Sequence, residues 1–198
     1  MLSRNQFFIK EHVGLFKMVN AYDIVDPENG QKIGLAQEKV SGWVHLLGLI
    51  INRQLLPTMV EIIDGADERG NGKVVISIKR GFTLFRSKVQ VFAEGGTEIG
   101  YFKSKFLSFG GGFWLYDTKD SRIAEVKGDW KGWNFKLLDA SGAELGTITK
   151  KWAGIGKEMF TSADNYMISI NEKNGADKGV KALLLAAGIA IDTIYKER

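Results

Sequence analysis

The residues of this 198-residue chain that could do chemistry are mostly cations and aromatic rings. Lys79 and Arg80 close an apolar run just before Gly81. Arg86 and Lys88 are two residues apart, as are Lys103 and Lys105, and Lys150 and Lys151 sit together before Trp152. Residues two apart on a strand share a face. Guanidinium forks and lysine point charges so arranged suit phosphate groups, and equally make a solvated strand face. Trp114, Trp130, Trp133 and Trp152 interleave with them. The stretch Lys127–Lys136, KGDWKGWNFK, has the mixture used for stacking single-stranded nucleic acid or for anchoring at a membrane interface. Alternation puts Trp133 and Phe135 on one face, which points to core packing instead. Nucleic acid is therefore not the expected partner.

Other chemistry is missing. The chain has no cysteine, which removes disulfides, thiolate metal sites and cysteine nucleophiles. Its two histidines are His12 and His45. His45 lies beside Trp43 and Leu46 and reads as packed. Gly110-Gly111-Gly112 lacks the Gly-Lys-Ser/Thr ending of a nucleotide loop and reads as a turn or bulge. No catalytic motif, cofactor or catalytic residue is expected, so the chain reads as a non-enzyme.

Charge is unevenly spread. Residues 1–72 carry 7 basic and 9 acidic groups, residues 73–157 carry 15 and 8, and residues 158–198 carry 5 and 6. The middle segment thus holds an excess of +7, which suits an anionic partner or a soluble, aggregation-resistant surface. Met1–Glu11 has no signal-type apolar core, and Leu2 stands where a myristoylated chain needs glycine. A cytoplasmic protein is expected, with peripheral contact at the inner membrane face.

The elements that must position these residues are hairpins. Alternating runs flank turns rich in Asp, Asn and Gly at 20–34, 60–78, 89–102, 113–126 and 134–149. About five such units give roughly ten or more antiparallel strands, which should curl or close into a barrel. Ser41–Leu56 has apolar residues at near-helical spacing and ends at Pro57, predicting an amphipathic helix. Lys178–Lys196 is apolar all round through Leu183, Leu184, Leu185, Ile189, Ile191 and Ile194. Lys181 and Asp192 bracket its uncharged run of 10 residues, whereas a membrane span needs about 20, so a buried central helix is expected.

Three stretches add a resemblance. GTITKKWAGIGKEMFTSADNYMISI (146–170) with KALLLAAGIAIDTIY (181–195), EIGYFKSKF (98–106) and YDIVDPENGQKIG (22–34) resemble phospholipid scramblases. The same resemblance extends to LURP-one-related proteins, in the fold group of Tubby-like domains. It covers nearly the whole chain. It implies one domain over residues 1–198, mainly β: a closed antiparallel barrel of about twelve strands around the C-terminal helix, with the helix near 41–56 added. It also implies reversible, non-enzymatic association with anionic phospholipid headgroups. The headgroup residues would be Lys79, Arg80, Arg86, Lys88, Lys103, Lys105, Lys150 and Lys151. A protein-interaction domain without lipid, and a true lipid-moving scramblase, are the alternatives.

The scramblase calcium segment falls at 162–173. The family's first acid is replaced by Ser162 and its last by Lys173, leaving Asp164 and Asn165. Calcium takes about 6–8 oxygen ligands, so tight calcium binding is not expected and a turn-capping role is.

Overall fold

The computed structural model describes residues 1–12, 20–39, 42, 55–67, 69–81, 88–105, 112–129, 132–150, 165–171 and 177–195, with side chains through Thr193. Residues 41 and 43–54 of the helix expected at 41–56, and Arg86, Lys151, Ser162, Asp164, Lys173 and the Ile194 side chain, lie outside the described residues.

Twelve strands are described. They are β1 (Gln6–Glu11), β2 (Ala21–Val25), β3 (Lys32–Lys39), β4 (Thr58–Asp64), β5 (Lys73–Arg80), β6 (Lys88–Ala93), β7 (Glu98–Ser104), β8 (Gly112–Tyr116), β9 (Arg122–Asp129), β10 (Asn134–Leu138), β11 (Glu144–Thr149) and β12 (Tyr166–Ile170). Each pairs antiparallel with its chain neighbours, and β1 pairs with β12 to close the barrel. The expected barrel is therefore present, and among the described strands no edge is left unpaired.

The turns β2–β3, β4–β5, β6–β7, β8–β9 and β10–β11 share one rim, which we call the first. Three are built alike. The carboxylates of Asp67, Asp117 and Asp139 each accept from the backbone N–H groups two and four residues on, at 2.8–2.9 Å. The residue three on from each is left-handed: Gly70, Asp120 and Gly142. Asp120 takes a conformation that glycine takes in the other two. Its side chain explains this, accepting the Tyr101 hydroxyl at 2.8 Å. These bonds lower the Asp67 and Asp139 pKa values, led by the Asn71 and Ser141 side chains.

Helix α1 (Lys178–Ala190) enters from the first rim and ends in a wider π turn over Ile191–Tyr195. Asp177 caps its start by accepting the Val180 N–H at 2.8 Å. Lys181 Nζ donates to Asn5 Oδ1 at 2.6 Å, tying the entry to the segment before β1. Every residue from Ala182 to Ile191 is buried, as an all-round apolar pattern requires. Small residues let the barrel close on the helix. A Cβ on Gly188 would stand 2.3 Å from Ile168 Cδ1, and one on Gly100 would stand 2.3 Å from the Tyr116 carbonyl oxygen and 3.2 Å from Leu183.

Two substitutions test this packing. Leu184→Ala leaves a cavity in a fully buried site and should cost about 2–5 kcal/mol. Gly188→Val improves local helix propensity yet forces Ile168 aside, and should cost roughly 1–3 kcal/mol. Denaturant melts should show both losses; a Gly188→Val protein as stable as the parent would contradict the close helix–wall contact.

Candidate functional site

Alternation along β5–β9 sends Ile76, Ile78, Val89, Val91, Phe102, Phe113, Leu115, Ala124 and Val126 into the core. The residues between them form an outer wall, and register sorts them into rows. One row runs Lys79, Gln90, Tyr101, Tyr116, Arg122. The next runs Lys88, Lys103, Trp114, Glu125. A third runs Gly112, Lys127, Lys136, Thr147.

Cations and rings meet across these rows. Lys79 Nζ lies 4.6 Å from the Phe92 ring centroid and Lys88 Nζ 3.9 Å from that of Tyr101. Lys103 lies 5.9 Å over Tyr116, Lys105 5.4 Å over Trp114, and the Arg122 guanidinium 6.0 Å over Trp114. Tyr101 and Tyr116 stack with centroids 5.0 Å apart. Each cation–ring contact at an exposed site contributes about 0.5–1 kcal/mol. Burial under this cover, helped by its bond to Asp120, pushes the Tyr101 pKa up to about 12.

Acidic partners are few. Lys105 pairs closely with Glu125, and Lys88 lies 3.9 Å from Glu98. Among the described residues, no carboxylate pairs with the ammonium of Lys79, Lys103 or Lys127.

The structure brings Lys79, Lys88, Lys103 and Lys105 onto one wall. Arg80 is not part of it. The alternation that turns Lys79 outward turns Arg80 inward, where it is 7% exposed. Its Nη2 donates to the Leu56 carbonyl at 3.3 Å and to Thr58 Oγ1 at 3.0 Å. Lys150 stands apart, 4.4 Å over Trp133. Trp133 packs edge-on to Phe135 at 6.0 Å and against Tyr166 at 5.2 Å, the core role expected of it. Lys127, Lys136 and Arg122 join the wall without having been singled out as ligands. The period-two spacing of Glu125, Lys127 and Asp129 is visible in the sequence, but the opposition of Lys127 to Lys136 appears only with the register.

At the second rim Asn165 is 2% exposed, and its Oδ1 accepts the Glu11 N–H at 3.2 Å. It thus joins β12 to β1 at the point of closure. Beside it, burial raises the pKa values of Tyr22 and Tyr166, and the Asp192 charge on α1 adds to this. Among the described residues, no group of three or more His, Asp or Glu could hold a metal ion.

The scramblase family model matches residues 3–198. The chain belongs to the scramblase family. It is 22% identical over its full length to the altered inheritance rate of mitochondria protein 25 of Saccharomyces cerevisiae, spanning 70% of that protein. It is 24% identical over 92% of its length to a phospholipid scramblase family protein of Schizosaccharomyces pombe, spanning 49% of it. It is 27% identical over 59% of its length to mouse phospholipid scramblase 1, spanning 37% of it. No solved structure matches the chain.

The Lys105–Glu125 pair gives a pH test. The hydrogen bond from Lys105, followed by its charge, holds the Glu125 pKa below the usual carboxylate value. A depressed carboxylate stabilises the fold above its unfolded pKa and loses that contribution as pH falls through the folded one. Glu125→Gln should therefore cost at most about 1 kcal/mol at pH 7, because the pair is partly exposed. The difference from the parent should shrink as pH falls below the ordinary glutamate value of about 4.3. A gap unchanged from pH 7 to pH 3 would show that the charge contributes nothing.

Proposed function

We propose that this protein binds anionic phospholipid surfaces reversibly and without catalysis, through the outer wall of β5–β9. The supporting observation is the wall itself. Lys79, Lys103 and Lys127 carry no acidic partner among the described residues, and the first two lie beside large rings. Ammonium groups beside Tyr and Trp match the boundary between headgroups and acyl chains. Relatives named phospholipid scramblases supply the substrate class. The cytoplasmic face of a membrane, with its anionic lipids, supplies the complementary potential.

The wall needs no conformational change to act, since each cation sits on a hydrogen-bonded strand or directly beside one. Each lysine near an anionic surface contributes about 1 kcal/mol, screened within a Debye length of about 10 Å at 0.1 M salt. Several lysines therefore give attachment that is usable and salt-sensitive.

Flotation with liposomes tests the reading. At low salt the protein should float with vesicles containing phosphatidylserine and not with phosphatidylcholine alone, and 0.5 M salt should release it. Lys79→Ala and Lys103→Ala should each weaken binding about fivefold, following the contribution of one lysine. If the protein ignores anionic vesicles at low salt, the reading fails and a protein partner becomes the better account. If reconstituted protein moves labelled lipid between leaflets, the activity is scrambling as well as binding.

A further inference from the structure

Two lysine pairs stand directly opposite each other on the wall. Lys88 faces Lys103 across β6 and β7, and Lys127 faces Lys136 across β9 and β10. All four are exposed. Like charges directly opposite on neighbouring strands destabilise a sheet. Each pair is only half neutralised, by one partly exposed carboxylate for two ammoniums. Lys88 has only Glu98 at 3.9 Å and Lys136 has Glu144 at 3.1 Å, while Lys103 and Lys127 have no carboxylate partner among the described residues.

The first opposition depends on a β-bulge. The register shifts between Val91 and Phe92, which face Gly100 and Glu98, leaving Ile99 as the extra residue. Were Ile99 paired regularly with Val91 instead of bulging out, Lys88 would face Phe102 rather than Lys103. Bulges re-aim side chains, and this one makes a like-charge pair. Trp114, next in the same row, buries its indole N–H without an acceptor among the described residues.

We infer that the two opposed pairs are phosphate-bridging sites whose ligand class is the phosphomonoester, an inference that rests on the anionic-surface reading above. Opposed residues place their Cβ atoms about 5 Å apart, so two lysine heads can hold one phosphate between them. A phosphomonoester carries about −1.5 to −2 charge at pH 7 and neutralises both ammoniums. A phosphodiester headgroup offers a single phosphate charge and compensates the pair only while the partly exposed Glu98 or Glu144 contact is kept, whereas the dianion compensates both ammoniums by itself. The pairs are three strand spacings apart, about 15 Å along the sheet and a quarter of the way round the closed barrel, so each is a separate site.

The experiment compares phosphatidylcholine vesicles carrying phosphatidic acid with vesicles carrying phosphatidylserine at matched surface charge. Free glycerol 3-phosphate serves as the soluble arm, read by thermal shift. Phosphatidic acid should bind at least threefold better at pH 7. That preference should disappear at pH 5, below the second phosphate pKa of about 6, where lysines keep their charge. Lys103→Glu should reduce phosphatidic acid binding at least tenfold while raising Tm by about 1–3 °C, because it turns a like-charge pair into an opposite one. Lys119→Glu, the same charge change in an exposed turn, should reduce binding less than threefold.

Equal binding of the two charge-matched vesicles overturns the phosphomonoester sites and leaves the anionic-surface reading standing. No vesicle binding, with a glycerol 3-phosphate shift that Lys103→Glu abolishes, keeps the sites and overturns the surface reading. No response in any arm overturns both.

Discussion

A closed barrel must be filled, and twelve strands enclose more space than facing side chains can bridge. About eight strands is the size at which side chains alone suffice. The α1 helix fills the remainder here, and the rest of the structure follows from that. It requires Leu183–Leu185, Ile189 and Ile191 to project in all directions, and Ala182, Ala186, Ala187 and Gly188 to let strands come close. It also commits every inward position of β5–β9 to the core. Only the outward positions remain free to serve another purpose, and on β5–β9 these hold the unpaired lysines and the rings.

Much of this was legible in the sequence, for local reasons. Hairpins are written in adjacent residues: Asp67, Asp117 and Asp139 each open a turn whose bonds reach only two to four residues. The α1 helix was legible because no polar face interrupts it. Closure followed from strand number and resemblance, but the pairing that makes it was not legible, because β1 meets β12 across some 160 residues, as in Gln6 opposite Ser169, and no local pattern encodes that pairing. The central helix inside a barrel came from resemblance as well as pattern.

The candidate site was legible only in part. Basic residues two apart were correctly paired by face in Lys103 and Lys105. The adjacent Lys79 and Arg80 could not share a face on a strand, and the structure separates them. The lysine oppositions were hidden because they depend on cross-strand register. For Lys88 and Lys103, register depends on one bulged residue that sequence pattern does not reveal. The left-handed Asp120 was hidden similarly, since its reason is a hydroxyl 19 residues away.

Fold stability accounts for part of the wall. Cation–ring contacts at exposed sites contribute about 0.5–1 kcal/mol each, and directly opposed like charges take away a similar amount. Five such contacts outweigh two opposed pairs, so the rings hold the wall in place, and the opposed lysines are the part of it that stability leaves unexplained. The helix is poorly placed to be the membrane element instead. Its 13 residues span about 20 Å, against a hydrocarbon core of about 30 Å, and Lys181 and Asp192 flank its apolar run. Withdrawing it would also strip Phe102, Phe113, Ile148 and Ile168 of their packing in the barrel centre. Contact through the wall avoids that loss, because it uses side chains the core does not need.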